Sequence, residues 1–389
     1  MRIRIVLLIA AITAAIAVAL PAPATAVEVA PGVAWTPVVR EQGPVRINVL
    51  ELDPALVHGV LSNNRIAGRE RVSSMGRRTD AVAGVNGGYF GPSGDPVGVL
   101  AIDGALLSEP VDGRSALMLG PGGAAVAPIR FAGSVTINGE ERPIDGVERT
   151  RGLIPACGGR GGDVPTARPN AVLTCTDSSE LILLSPSYGA RPPREGGVEA
   201  VLRDGTVASV RAPGTGPVPR DGLLLTGTGD AAGFLRDAAL PRSQAEIELT
   251  LTSARRPLDL AQQTLVVGGG PRLLRAGHVA VTAKAEGFAP PQAPAFYGTF
   301  VAARQPRTLA GVRADGKLLL VTVDGRRPGW STGMTLPEAA RLMRSLGARD
   351  AVNLDGGGST TMTVRGEVVN RPSDRTGERP VSDGVYALP

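Results

Sequence analysis

Short runs of alternating hydrophobic and polar residues fill most of this 389-residue chain. Typical runs are IRFAGSVTING, VEAVLRDGTVASV and TLAGVRADGKLLLVTVDGR, and they are separated by DG, NG and GG pairs. Alternation with a period of two is typical of half-buried strands, and these pairs are typical of tight turns. The pattern predicts a chain built mainly from β-strands.

Two segments show a helical period instead. Residues 335–346, TLPEAARLMRSL, have Thr335 and Glu338 at capping-box spacing and apolar residues on one face. Residues 230–239 form the second candidate helix. Few helices among many strands, with no low-complexity linker and no fixed repeat, predict a β-rich α+β fold in a single catalytic domain over residues 27–389.

The first 26 residues have the layout of a secretory signal. Arg2 and Arg4 precede an apolar run from Ile5 to Leu20, and the segment ends in Ala-Thr-Ala at Ala26. This order predicts export with cleavage after Ala26. An uncleaved anchor is the alternative, because the run is only slightly shorter than a membrane span. We therefore expect a secreted or cell-envelope protein with no membrane span after cleavage.

Charge and cysteine content narrow the possible partners. A formal charge of +5 and an aromatic content of 3% give neither a basic stripe nor a stacking platform, which argues against nucleic acid as a partner. The chain has two cysteines, Cys157 and Cys175. In an oxidising compartment they are expected to form a disulfide, and two free thiols are the alternative.

The clearest candidate site is AVNLDGGGSTTMTV at residues 351–364. Both ends read as buried strands, and the predicted helix before the segment places Asp355 at the carboxyl end of the first strand. Consecutive glycines permit positive φ and let backbone N–H groups converge on an anion. A tight hairpin is the alternative explanation. The candidate binding residues of this loop are Gly356, Gly357, Gly358, Ser359 and Thr360.

Three other stretches have a similar texture. An apolar run ends at Asn86 in VNGGYF, a second ends at Asp324 and Arg326 in VDGRR, and a third stretch, ERPVSD, contains Arg379, Ser382 and Asp383. Each stretch taken singly is also explained by turn formation. Together with DGGGST they form a set of polar groups placed next to strands.

Several of these segments resemble the phosphodiester glycosidase family in order along nearly the whole chain after the predicted signal. The segments are NGGYF (86–90), GGGPRLL (268–274), PRT (306–308), LVTVDGR (320–326), TGMTLPEAARLMRSLGARDAVNLDGGGSTTM (332–362) and ERPVSD (378–383). The resemblance implies an α+β domain with a polar pocket. It further implies hydrolysis of the glycosidic bond in sugar-1-phosphodiesters of envelope or extracellular glycans, so the expected partner is a phosphorylated carbohydrate.

This chemistry assigns roles to the candidate residues. The leaving phosphomonoester has a second pKa near 6 and departs without strong protonation, so one carboxylate and a cationic clamp suffice. Asp355 is the first choice for the carboxylate, as nucleophile or as base to water, with Asp324 and Asp383 as rivals. The remaining assignments are Arg307, Arg326 and Arg379 as the phosphate clamp, and Asn86, Ser359, Thr360 and Ser382 as residues that orient the sugar or phosphate.

Other chemistries stay open at this stage. The three aspartates could together hold Ca²⁺ or Mg²⁺ through oxygen ligands. A serine-type esterase would use Ser359, although the sequence around it is not a G-x-S-x-G elbow and the two histidines, His58 and His278, are not well placed for a triad. A non-catalytic envelope-glycan-binding protein would use the same pocket for recognition alone.

Overall fold

The computed structural model describes residues 25–389 except 42, 153, 156, 158–163, 166–173, 190, 193, 195 and 292. The predicted export signal therefore lies almost entirely outside the described residues. In the part of the chain that the structure describes, no helix has the length and apolar character that a membrane crossing needs.

An antiparallel sheet of eight strands, called here the large sheet, lies on one side of the main hydrophobic core. Its spatial order mixes the two ends of the chain, because Val45–Leu52 lies directly beside Leu318–Val323. The eight strands in that order are Val27–Ala30, Val33–Arg40, Val45–Leu52, Leu318–Val323, Arg307–Arg313, Ala348–Asn353, Arg272–Arg275 and His278–Val279.

The helix expected at residues 335–346 is present as Leu336–Ser345 and packs on the large sheet. The hydroxyl of Thr335 accepts a hydrogen bond from the backbone N–H of Glu338 (3.2 Å), and the Glu338 carboxylate accepts one from the Thr335 N–H (2.9 Å). This capping box satisfies donors that a helix start leaves free. The apolar face of the helix packs against strands of the large sheet in one hydrophobic core cluster, so the predicted helix is confirmed.

A second antiparallel sheet of five strands, called here the site sheet, faces the large sheet across the main hydrophobic core. Leu50, Leu320 and Val352 from the large sheet meet Val85 and Val385 from the site sheet in this core. The helix Val72–Arg78 packs on the site sheet. The strands of the site sheet, in spatial order, are Glu367–Val368, Met362–Val364, Ala83–Asn86, Asp383–Ala387 and Val57–Leu61.

The remaining strands form further sheets beside this core. A further eight-stranded sheet contains Arg256–Pro257, Ala245–Ser253, Gly123–Ile137, Ser115–Gly120, Leu265–Gly268, Leu100–Ile102 and Ala105–Ser108, with Glu140–Pro143 paired to the longest strand. A five-stranded sheet, covered by the predicted second helix at Gly229–Ala238, contains Gly146–Val147, Leu181–Leu184, Leu223–Gly227, Val198–Arg203 and Thr206–Arg211.

Short elements complete the fold. Cys157 and Cys175 are bonded, with 5.0 Å between their Cα atoms, which confirms the expected disulfide. The disulfide belongs to the region of a small sheet of Ile154–Pro155, Thr174–Thr176 and Val164–Pro165. A three-residue helix at Ala295–Tyr297 continues as a π-helix over Gly298–Ala302, and Tyr89–Phe90 pairs with Pro96–Val97. Many strands and few helices confirm the β-rich α+β class.

The DGGGST segment connects two sheets. Ala348–Asn353 belongs to the large sheet, whereas Met362–Val364 belongs to the site sheet, and the two strands do not pair with each other. The tight-hairpin explanation is therefore wrong, because a hairpin joins neighbouring strands of one sheet. The loop instead carries the chain across the edge where the two sheets meet.

Candidate active site

Polar residues from five strand ends gather at the edge where the large sheet and the site sheet meet. Antiparallel pairing brings strand starts beside strand ends, so Arg307 lies opposite Val323 and Asn86 lies opposite Gly384. The loop after Ala348–Asn353 joins this edge, since the Asp355 N–H donates to the Gly87 carbonyl (3.2 Å). The candidate residues brought to this edge are Asn86, Arg307, Asp324, Asp355 and Asp383.

Each glycine of the DGGGST loop has a separate structural reason. Gly357 has φ +61°, a conformation that L side chains rarely adopt, and its N–H donates to the Pro306 carbonyl (3.0 Å). A Cβ on Gly356 would lie 2.8 Å from that same carbonyl oxygen. A Cβ on Gly358 would lie 2.1 Å from the Arg379 guanidinium. The sequence predicted positive φ for this run, and one of the three glycines adopts it.

Asp355 occupies a desolvated position at this edge. Burial raises the pKa of its carboxyl group from 3.8 to about 6, the nearby charge of Asp383 adds to the rise, and the Ser359 hydroxyl and Arg379 guanidinium oppose it. A carboxyl group with this pKa changes protonation near neutral pH, which suits proton transfer or nucleophilic attack.

Asp383 is the second buried carboxyl group of the edge. Its Oδ1 accepts a hydrogen bond from the Gly88 N–H (3.0 Å), and its Oδ2 accepts one from the Ser382 hydroxyl. Burial raises the pKa of Asp383 despite these donors. A Cβ on Gly87 would lie 1.8 Å from Oδ1, so the NGG turn needs glycine to let the carboxyl group approach. Ser382 therefore holds Asp383 in position.

Asp324 has a different environment from the other two aspartates. Its carboxylate accepts hydrogen bonds from the Trp330 Nε1–H (2.9 Å), the Asn370 Nδ2–H (3.0 Å) and the Arg371 N–H (3.1 Å). Only 1% of the residue is exposed. These contacts join the segment 324–330 to the distant pair Asn370 and Arg371 and occupy both carboxylate oxygens, so the geometry favours a structural role for Asp324 and leaves Asp355 and Asp383 as the stronger catalytic candidates.

Arg326 is an exposed cation at the mouth of the glycine loop. Its Nε donates to Gln305 Oε1 (2.6 Å), and its guanidinium lies 3.1 Å from where a Cβ on Gly357 would be. Among the described residues, Arg326 forms no ion pair. Its free N–H donors therefore suit an anionic ligand over the loop.

Arg379 is already paired with an acid. Its guanidinium donates two parallel hydrogen bonds to Asp374, at 2.8 and 3.1 Å. This ion pair packs directly against Gly358, and the charge of Arg379 lowers the pKa of Asp355. Arg379 therefore lowers the pKa of the Asp355 carboxyl group. Because two of its N–H groups already donate to Asp374, fewer remain for a phosphate.

Arg307 is buried, with 2% exposed. Its guanidinium donates to the carbonyls of Met334 (2.9 Å), Phe300 (2.7 Å) and Ala303 (3.1 Å). Burial lowers its pKa to about 10. Nη1 has no hydrogen-bond partner among the described residues, so one edge of the guanidinium is left for a ligand while the other braces the π-helix.

Asn86 uses its side-chain amide to hold the loops of the edge together. Its Nδ2 donates to the Asp355 carbonyl (2.8 Å), and its Oδ1 accepts from the Thr308 hydroxyl (2.7 Å) and the Thr361 N–H (3.1 Å). Ser359 and Thr360 are also buried, at 0% and 1% exposed. Asn86 therefore positions the loop, and direct contact of these three residues with substrate stays a prediction.

Sequence reasoning did not assign roles to two further residues of the edge. The Tyr89 hydroxyl donates to the Gly270 carbonyl (2.6 Å) and accepts from the Asn353 Nδ2–H (2.7 Å). The charge of Asp355 raises the pKa of this hydroxyl. Asp374, the partner of Arg379, was also missed. Tyr89 lies inside the NGGYF motif, which was the available signal, whereas Asp374 had none.

No group of three or more His, Cys, Asp and Glu side chains within the described ranges is arranged to hold a metal ion. The expected convergence of all three aspartates on Ca²⁺ or Mg²⁺ is therefore absent from the geometry of those residues. The two histidines lie in strands, with His58 opposite Tyr386 in the site sheet and His278 at the outer edge of the large sheet. Ser359 thus has no histidine partner among its described contacts.

Comparison with known proteins identifies relatives of the chain. The sequence profile described as phosphodiester glycosidase matches residues 196–388. The crystal structure of a candidate exported protein of Burkholderia pseudomallei K96243 is similar with a TM-score of 0.80 and 33% identity, covering 89% of this chain and 74% of that chain.

Two curated relatives are similar over shorter segments. The SPbeta prophage-derived uncharacterized protein YomE of Bacillus subtilis strain 168 is 42% identical over 80 residues, which are 21% of this chain and 12% of that protein. The mouse N-acetylglucosamine-1-phosphodiester alpha-N-acetylglucosaminidase is 36% identical over 78 residues, which are 20% of this chain and 15% of the enzyme. The chain thus matches less than a sixth of the length of either protein.

Proposed function

The chain belongs to the phosphodiester glycosidase family, and from this premise we propose that it is an exported hydrolase that cleaves the glycosidic bond of sugar-1-phosphodiesters in envelope or extracellular glycans. The observation that carries the proposal is the Asp355 carboxyl group, with a pKa raised to about 6, at the start of a glycine loop against which the Arg326 guanidinium lies at Gly357. The disulfide and the candidate exported relative support export.

In the proposed reaction, Asp355 acts at the anomeric carbon. Its ionised carboxylate either takes a proton from a water molecule that attacks, or attacks that carbon itself and forms a glycosyl ester that water then hydrolyses to release the sugar. The bond between the anomeric carbon and the phosphate oxygen breaks, and its electron pair leaves with the phosphate. The released phosphomonoester has a second pKa near 6, so the leaving group needs no strong acid.

Asp383 and the arginines support this step. Asp383 is held by Gly88 and Ser382 close enough for its charge to raise the pKa of Asp355. Arg326 binds two phosphate oxygens at once through its Nη groups, as guanidinium groups do, and the free Nη1 of Arg307 adds a further donor. Arg379 balances the charge of the Asp355 carboxylate.

Isotope labelling tests the proposal directly. The mature protein is incubated with a panel of sugar-1-phosphodiesters in H₂¹⁸O, and the products are identified by mass. Cleavage at the glycosidic side puts ¹⁸O into the free sugar. Label found in the phosphate would mean cleavage of the P–O bond, and binding without any product would favour the glycan-binding alternative.

A further inference from the structure

Arg114 is an incompletely satisfied cation that no sequence motif singles out. It precedes the strand Ser115–Gly120, its Nε donates to the Glu286 carbonyl (3.1 Å), and its guanidinium lies 4.4 Å from the centre of the Phe288 ring. Burial lowers its pKa. Among the described residues it forms no ion pair, and neither Nη atom has a hydrogen-bond acceptor. The charge of Glu286 favours the ionised guanidinium without contacting it directly, so both Nη groups remain free to donate to an anionic ligand.

Tyr89 connects Arg114 to the candidate active site. The charge of Asp355 raises the pKa of the Tyr89 hydroxyl, and the charges of Arg114 and Arg307 lower it. The Tyr89 ring lies 5.9 Å from the ring of Phe288, against which Arg114 packs. Aromatic residues are only 3% of the chain, yet five of them gather here: Tyr89, Phe288, Phe296, Tyr297 and Phe300.

The charges at this edge exceed what one phosphodiester needs. A phosphodiester carries a single negative charge, and Arg326 with the free edge of Arg307 already offers it two guanidinium groups. Arg114 adds a third cation, which the Glu286 carboxylate attracts but does not contact directly. In the proposed step the charge of the ionised Asp355 is already balanced by Arg379.

We propose that Arg114, placed next to Tyr89, forms a second anion subsite, which binds an oxyanion that the substrate carries in addition to its reacting phosphodiester. This inference rests on the proposed function and narrows the substrate class to sugar-1-phosphodiesters with a second phosphate or a carboxylate group. The Phe288 ring fixes the plane of the guanidinium through a cation–π contact, which leaves the Nη edge for two parallel hydrogen bonds.

Paired substrates test the subsite. One substrate is a sugar-1-phosphodiester with a methyl aglycone, and two others carry the same sugar with an aglycone that ends in a carboxylate or in a phosphate. We expect Arg114→Gln to lower kcat/KM on one or both doubly anionic substrates on the order of tenfold to a hundredfold. Turnover of the methyl substrate should stay within about twofold of the parent protein, since only the second anion contacts Arg114.

Arg130→Gln is the matched control. Arg130 is exposed, lies close to Gly113 and pairs with Asp112 at 3.5 Å, so its loss removes a nearby positive charge without touching the subsite. Equal losses on all three substrates for Arg114→Gln, or no loss on any, would overturn the inference. If Arg114→Gln fails to fold, Arg114→Lys replaces it, because lysine keeps the charge and lacks the planar fork.

A binding measurement separates this inference from the proposed function. Inorganic phosphate should raise the melting temperature of Arg326→Ala, and adding Arg114→Gln to that variant should remove the rise. This result would support the subsite even if no sugar-1-phosphodiester is cleaved. A rise of equal size in both proteins would overturn it.

Discussion

Burial, rather than an ion pair, sets the protonation of Asp355. Desolvation disfavours the charged form, so its pKa is about 6 in the folded protein against 3.8 for the free side chain. The cost of ionising Asp355 is fully present above pH 6 and is relieved as the pH falls from about 6 towards 4. The same burial that costs stability at neutral pH makes the carboxylate more basic.

Asp355→Asn should separate catalysis from stability. We expect hydrolysis to be abolished, while at pH 7 the variant melts at or above the parent temperature, because a desolvated charge worth up to about 3 kcal/mol is removed. This advantage should shrink as the pH falls through about 6. Melting curves from pH 4 to 8 measure it, and wild-type turnover in Asp355→Asn would remove this residue from the mechanism.

The pH profile of the parent protein follows from the same pKa. An ionised Asp355 acts in the proposed step, so kcat/KM should fall below about pH 6 and level off above it. Rates on a neutral-aglycone phosphodiester measured from pH 4 to 9 check this. A profile that instead falls above pH 6 would mean that Asp355 acts as a proton donor.

The two clamp arginines differ in what their loss should do. Arg326 is exposed and bonds only to Gln305, so Arg326→Ala should lose about a hundredfold in turnover of phosphodiesters with an unchanged melting temperature. Arg307 satisfies three buried carbonyls, so Arg307→Ala should also lose on the order of 2–4 kcal/mol of unfolding free energy. Urea unfolding and kinetics of both variants make the comparison. Equal stability of the two would contradict the bracing role of Arg307.

At the scale of elements, local patterns predicted what local forces determine. The helix at Leu336–Ser345 followed from its capping box and period, whereas the role of the DGGGST loop in binding or catalysis stays a prediction. The helix Val72–Arg78 was missed because its start has no side-chain cap and its sequence, VSSMGRR, has no clear period. The role of Asp324 could not be predicted from the neighbouring sequence either, because its donors Asn370 and Arg371 lie 46 and 47 residues away.

The glycine loop gives a prediction at this scale. A Cβ on Gly358 would displace the ion pair of Arg379 and Asp374, whereas alanine at Gly357 meets mainly backbone strain of roughly 1 kcal/mol. Gly358→Ala should therefore reduce activity more than Gly357→Ala. It should also raise the apparent pKa of Asp355, because it displaces Arg379, whose charge lowers that pKa. Kinetics at pH 7.5 and melting temperatures of the two variants test the order. A more active Gly358→Ala protein would contradict it.

At the scale of the whole molecule, the site depends on strands from distant parts of the sequence. Val45–Leu52 pairs with Leu318–Val323, and Asp383–Ala387 pairs with both Val57–Leu61 and Ala83–Asn86. Strand periodicity gives the existence of each strand but no information on its partner, so this interleaving could not be predicted from the pattern alone. The family profile covers residues 196–388, yet Asn86 and Gly88, which hold the two catalytic candidates, precede it.

This interleaving predicts that residues 196–389 do not form a working unit. Without Val45–Leu52 and Ala83–Asn86, the large sheet and the site sheet each lose a central strand, and core residues such as Val385 and Leu320 become exposed. The truncated chain should show no cooperative unfolding transition and no hydrolysis of a substrate that the full mature chain cleaves. Calorimetry and kinetics on residues 196–389, with residues 27–389 as the control, test this expectation. A cooperative transition with parental activity in the shorter chain would mean that the paired amino-terminal strands are dispensable for both the fold and the site.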